Sequence, residues 1–193
     1  FSAEDYERFC RRYIRLEDQS KPWSREDFTK PGIEGAHPLS RFWQPYVVDQ
    51  YRRTSSTQTQ FLFHLQSEPL STNEYGCPKD FYLQYTFPHQ QPSISIDLQW
   101  FQKPACRLPE ALWFTFTPIL SHKAEWLIAK LGDFISPLDV VENGNRHLHA
   151  CGNSVICNDR DRKIEIIPLD SPLVAPGQPS LLNFSNEQPD MQG

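Results

Sequence analysis

A mainly β protein, an antiparallel β-sandwich (supersandwich-like) with one N-terminal amphipathic helix, is the fold this sequence predicts. Three observations predict it. Short segments that alternate apolar and polar residues recur from residue 46 onwards, the period-two signature of strands with one face on a core. The 17 prolines among 193 residues suit strand ends and turns and argue against a helical bundle. One stretch only, at the N-terminus, carries a helical stripe. Nothing repeats at a fixed period, so a propeller or solenoid is not expected.

The helix is expected over residues 2–16. Ser2 caps it with Asp5 three positions on, and Glu4 and Asp5 suit the positive end of the helix dipole. Tyr6, Phe9, Cys10, Tyr13 and Ile14 form one apolar stripe, which must dock to be stable. Residues 18–38 read as an irregular connection, with Trp23 and Phe28 as anchors. Strands follow at 46–52, 60–66, 81–87, 93–101, 111–117, 124–130, 146–151, 154–157, 163–167 and 180–184. Turn residues separate them, many short strands in succession meaning a sandwich. The stretch 98–116 stands at the centre of this plan. Ile94, Ile96, Leu98 and Trp100 lead into it as one core face, and the uniformly apolar run 111–117 reads as a strand covered on both sides. The domain plan is a helix and connector at 1–38, a β-sandwich at 39–185 and a disordered polar tail at 186–193.

Net charge is −5, with 19 basic and 24 acidic residues interspersed. No basic stripe points to nucleic acid and no cationic face to anionic lipid. No apolar run approaches the ~20 residues of a membrane span. The sequence opens at Phe1 without an apolar leader, so a processed protein or a piece of a longer one is expected. Five cysteines without a Cys-x-x-Cys pair make a zinc ribbon a poor reading. The odd count fits a reducing, cytoplasmic setting better than a disulfide framework, although Asn183-Phe184-Ser185 is a formal glycosylation sequon.

The polar cluster of most interest is Asn143-Gly144-Asn145-Arg146-His147-Leu148-His149. On a strand, His147 and His149 share a face about 6–7 Å apart. Two imidazoles at that spacing suit one zinc ion if a third ligand arrives from elsewhere. His64, His89, His122, Asp97 and Asp170 are the candidates, and the sequence selects none. Half-buried histidines bonded to their neighbours are the plainer reading. Asp133, Asp139 and Glu142 suggest a glycosidase carboxylate pair, but carboxylates beside turns more often cap them. No Gly-x-Ser-x-Gly elbow, P-loop or dinucleotide fingerprint is present. Of the tryptophans, Trp100, Trp113 and Trp126 lie in strand patterns and are expected in the core. Trp43, between Phe42 and Pro45, is the candidate surface platform for a sugar ring.

Three segments carry a resemblance: Trp23-x-x-x-Asp27-Phe28-x-Lys30-Pro31-Gly32, Lys103 through Trp113, and Ser136-Pro137-Leu138-Asp139 leading into Asn143 through His149. Asp170 through Gly177 adds to it. Together they resemble the C-terminal region of large uncharacterised proteins that carry a domain of unknown function and are related to family-38 glycoside hydrolases (α-mannosidases). The resemblance implies a modular protein, with zinc and the carboxylate nucleophile in an N-terminal barrel and the present residues in the helical bundle's end and the sandwich. The barrel's His-x-Asp motif is absent here, so no catalytic residue carries over. Asn145, Arg146, His147 and His149 are then candidates for a rim facing a sugar, with Trp43 beside them as a binding candidate. The partners implied are carbohydrate and an N-terminal catalytic domain of the same protein, with no nucleic acid and no membrane. A free-standing carbohydrate- or protein-binding module is the alternative, and a small metal-dependent enzyme using His147 and His149 is a third.

Overall fold

The computed structural model describes residues 1–5, 20–23, 32–141, 146–160 and 162–177. The chain is mainly β, and every strand pair is antiparallel. It divides into two compact units: residues 1–2 with 32–109, and residues 3–31 with 110–193.

The first unit is a four-stranded meander. Its strands are β1 (Tyr46–Thr54), β2 (Gln58–Gln66), β3 (Asp80–Pro88) and β4 (Ser95–Trp100), adjacent in chain order. The β1–β2 hairpin closes tightly because Ser55 and Thr57 supply both turn chemistry and backbone partners; Ser55 N–H donates to the Gln58 carbonyl at 2.9 Å. Helix α1 (Pro69–Tyr75) joins β2 to β3, with proline opening it and Gly76 closing it in the left-handed region at φ 71°. Glycine is required there twice over. A side chain at Gly76 would also collide with Cβ of Cys106.

Registry sorts this sheet into two chemical faces. Phe61, Phe63 and Leu65 of β2 lie opposite Tyr85, Leu83 and Phe81 of β3, which meet Ile96, Leu98 and Trp100 of β4. The other face carries Asp49, Tyr51 and Arg53, then Gln60, Leu62, His64 and Gln66, then Asp80, Tyr82, Gln84 and Thr86, then Ser95, Asp97 and Gln99. On the aromatic face, edge-to-face pairs Phe61–Phe87 and Phe63–Tyr85 have centroids 5.8 and 6.0 Å apart, a favoured arrangement for rings.

In the second unit, β6 (Asp133–Ile135), β5 (Glu125–Lys130), β8 (Val155–Asp159) and β9 (Arg162–Ile166) form one sheet in that order. A two-stranded ribbon of β7 (His149–Ala150) and β10 (Leu173–Val174) completes it. Ile128 and Val155 of the sheet and Cys151 beside the ribbon make the buried core, with Trp126, Ile166 and Val174 against it. Complete burial of an aliphatic side chain of this kind stabilises by about 1.5–3 kcal/mol. The β5–β6 hairpin turns through Leu131 and Gly132, both at positive φ (52° and 91°), and Leu131 is fully exposed.

Two expectations are corrected here. The run 111–117 forms no strand, and Leu112, Phe114 and Phe116 along it are exposed. β-propensity favours an extended backbone, but a strand also needs a ladder partner, and Pro109 and Pro118 interrupt donors at both ends. The apolar alternation over 93–101 does form a strand, yet Ile94, Ile96 and Trp100 are exposed rather than core. β4 closes one side of its sheet, so its side chains have neighbours in one direction only. Of the expected helix over 2–16, residues 3–5 are helical and residue 2 is not, and 6–16 lie outside the described residues, as do the expected strand at 180–184 and the tail.

Candidate functional site

The polar face of the first unit gathers the densest set of convergent side chains. Asp49, His64, Tyr82 and Gln99 stand in one row across all four strands. His64 and Gln66 both donate to the same Asp80 oxygen, His64 through Nε2 at 2.8 Å and Gln66 through Nε2 at 2.9 Å. These two bonds, His64 first, hold the Asp80 carboxyl below the usual carboxylate range. On its other side, His64 Nδ1 faces Asp49 Oδ2 at 3.8 Å. The imidazole lies flat on the Tyr82 ring, centroids 5.0 Å apart and planes within 7°, and Phe101 flanks Tyr82. Further along the face, Gln60 and Gln84 both donate to Thr86 Oγ1. Arg53, Ser55, Gln58 and Gln60 line a shallow depression of about 110 Å³.

Such a face offers amides, carboxylates and a guanidinium at strand spacing, with Tyr51 and Phe101 exposed among them. Its described side chains can offer several hydrogen bonds beside aromatic rings.

The histidines singled out in the sequence belong to the second unit and are interior groups. His147 is 7% exposed and His149 2%. His149 Nε2 donates to the Arg146 carbonyl at 2.8 Å, and its Nδ1 lies 3.4 Å from Lys130 Nζ. Burial pushes the imidazole below the usual histidine range; Lys130 and His147 add to that, and the Arg146 carbonyl opposes it. A divalent ion at Nδ1 would sit against the Lys130 ammonium. Among the described residues, no three of His, Cys, Asp and Glu gather into a group able to hold a metal ion. Asn145 and Glu142 lie outside the described residues. Trp43 is half-buried in the first unit, the Arg41 guanidinium 4.0 Å from its centroid and Tyr75 5.4 Å away. One of its faces is therefore already occupied.

Other polar residues make local hydrogen bonds. Asp133 accepts from the Phe134 N–H at 2.8 Å, and Asp139 N–H donates to the Ser136 carbonyl in a turn. Asp159, buried at the end of β8, accepts from Ser121 Oγ and from the Ser121 N–H. Those bonds hold its carboxyl below the usual range. No helix of the described residues is long and apolar enough to cross a membrane.

Sequence reasoning named His64 and Asp97 only as spare metal ligands, and missed Asp49, Gln66, Asp80 and Tyr82. A signal was there: Gln60, His64 and Gln66 alternate with Phe61, Phe63 and Leu65, which marks a strand with one polar face. Which residues of β1 and β3 share that face depends on register, set by turn geometry.

Residues 1–95 match the family model described as a domain of unknown function (DUF5054). The matched span holds β1, β2, α1 and β3 and ends at the first residue of β4. It therefore contains most of the polar face. That description names no reaction, and nothing in it points to family-38 glycoside hydrolases. No match is found among curated proteins, nor among solved structures.

Proposed function

We propose that this chain is an accessory, non-catalytic β module of an α-mannosidase-like carbohydrate-processing protein, with the polar face of the first unit as its glycan-binding surface and the catalytic residues outside the chain. The observation that carries the reading is the hydrogen-bonded array of His64, Asp80 and Gln66, with His64 stacked on Tyr82 and exposed Tyr51 on the same face. Sugars are bound by such pairings of planar polar groups with rings, because a pyranose has hydroxyls at its edge and C–H groups on its face. The pre-bonded array keeps its donors and acceptors oriented before a ligand arrives, which lowers the ordering cost of binding. The second unit supports the accessory role in a different way. Its segment 112–119 exposes Leu112, Phe114, Phe116 and Ile119, the last to 96%, as a surface that packs on another domain does.

The test is glycan-array binding by the full chain, followed by calorimetry with the best oligosaccharide. The expected result is binding of mannose-containing glycans that Tyr51→Ala and Asp80→Asn each weaken at least roughly tenfold, with no hydrolysis of an aryl mannoside. A folded chain that binds no glycan overturns the reading, and so does hydrolysis by the chain alone.

A further inference from the structure

The outer edge of β1 is a second feature of this unit, and it shares Asp49 and Tyr51 with the polar face. All nine residues of β1 are exposed, and β1 stands at the end of its sheet with no described strand beyond it. Ser55 N–H points at β2, where it meets the Gln58 carbonyl. By alternation Asp49, Tyr51 and Arg53 also turn their backbone groups towards β2, and Gln50, Arg52 and Thr54 turn theirs outward. An open edge of this length is normally defended. Here a bulge between Val47 and Asp49 confines any pairing to the stretch after it, and three charges stand on that stretch. Those charges, however, differ in sign: Asp49 and Arg53 occupy the same face, four residues apart.

We propose that β1 pairs with β1 of a second copy of this chain, antiparallel about a two-fold axis at Tyr51, which sets Asp49 of each copy opposite Arg53 of the other. A two-fold axis normal to the sheet keeps each face continuous. Gln50 and Arg52 of opposite copies then exchange the outward backbone hydrogen bonds for which no described strand supplies a partner. Asp49 and Arg53 fall at closely spaced, non-hydrogen-bonded positions, where cross-strand side chains interact most strongly. Neighbouring registers lose this. A shift one way sets Arg52 against its own copy, and a shift the other way sets Asp49 against Tyr51 and runs into the bulge. Charge thus selects one register and one partner, the chain itself. The contact is a single short strand pair, smaller than a standard interface, so the association is weak and reversible.

Sedimentation velocity of the full chain over a concentration series tests this. The expected result is a concentration-dependent monomer–dimer equilibrium. Asp49→Arg and Arg53→Asp each weaken it by roughly tenfold or more, because the symmetry makes both cross-pairs repulsive at once. Mixing the two singly substituted chains restores association, since every substituted position then faces the opposite charge. A wild-type chain that stays monomeric throughout overturns the proposal. A mixture no tighter than either variant alone overturns it too.

Discussion

The two four-stranded sheets of this protein are held together by different means. In the first unit β1, β2 and β3 run nine residues each, and their side chains are mostly half-buried or exposed. Its cohesion comes from long ladders and from ring pairs across strands. In the second unit the strands have two to six residues, too short to hold by pairing alone. There Ile128 and Cys157 are enclosed completely, and His149 and Asp159 are buried with their hydrogen bonds assigned. A sheet with long ladders leaves its faces free for chemistry. A sheet with short ones uses its polar groups to hold itself together, which is why the candidate site is sought on the first.

The largest expected effect is at that second core. Ile128→Ala should cost about 3 kcal/mol in a denaturant titration, the range for a truncated, fully buried aliphatic side chain. Phe63→Ala, a larger truncation in the first unit, should cost less because its ring is only partly buried. If Phe63 proves the more costly, the contrast between the units is wrong. Next is backbone geometry in the first unit. Gly76→Ala should destabilise by about 2 kcal/mol, through a left-handed residue that gains a Cβ and through contact with Cys106.

A pH series separates the units further. His149 has its folded-state pKa lowered by burial, so the unfolded chain takes up the proton first. Stability should therefore fall as pH drops below the ordinary histidine value near 6.5, and stop falling below the folded-state value. The slope for one proton is at most about 1.4 kcal/mol per pH unit. His149→Gln should flatten that slope, measured by thermal melts between neutral and mildly acid pH. Asp159 and Asp80, both lowered, contribute at still lower pH, where protonation removes what Ser121 and His64 stabilise. The smallest stability effect is expected from Asp80→Asn. Its pair with His64 is partly exposed, and such pairs contribute about 0–1 kcal/mol. An unchanged melt together with lost glycan binding would separate site from scaffold.

Much of the fold was legible in the sequence, because alternation and proline placement are local properties. The predicted strands at 46–52, 60–66 and 81–87 each fall inside a longer observed one. The run 111–117 misled because composition reports which conformation a segment favours, not whether a neighbour arrives to pair with it. The site was legible only in halves. His64 was visible as a polar residue in an aromatic strand, but its partnership with Asp80 joins positions sixteen apart through a register the sequence does not display. His147 and His149 were conspicuous for their spacing. Both are buried in the second unit, His149 with the Arg146 carbonyl as acceptor, a fact of packing that no motif encodes.

The turn between β5 and β6 places a leucine where the backbone prefers asparagine. Leu131 holds a left-handed conformation that disfavours branched side chains, and it does so with its isobutyl group wholly in water. Leu131→Asn should stabilise the fold by about 0.5–1 kcal/mol, read as a higher melting temperature. The native residue thus keeps a greasy knob at a hairpin tip against the local interest of the chain.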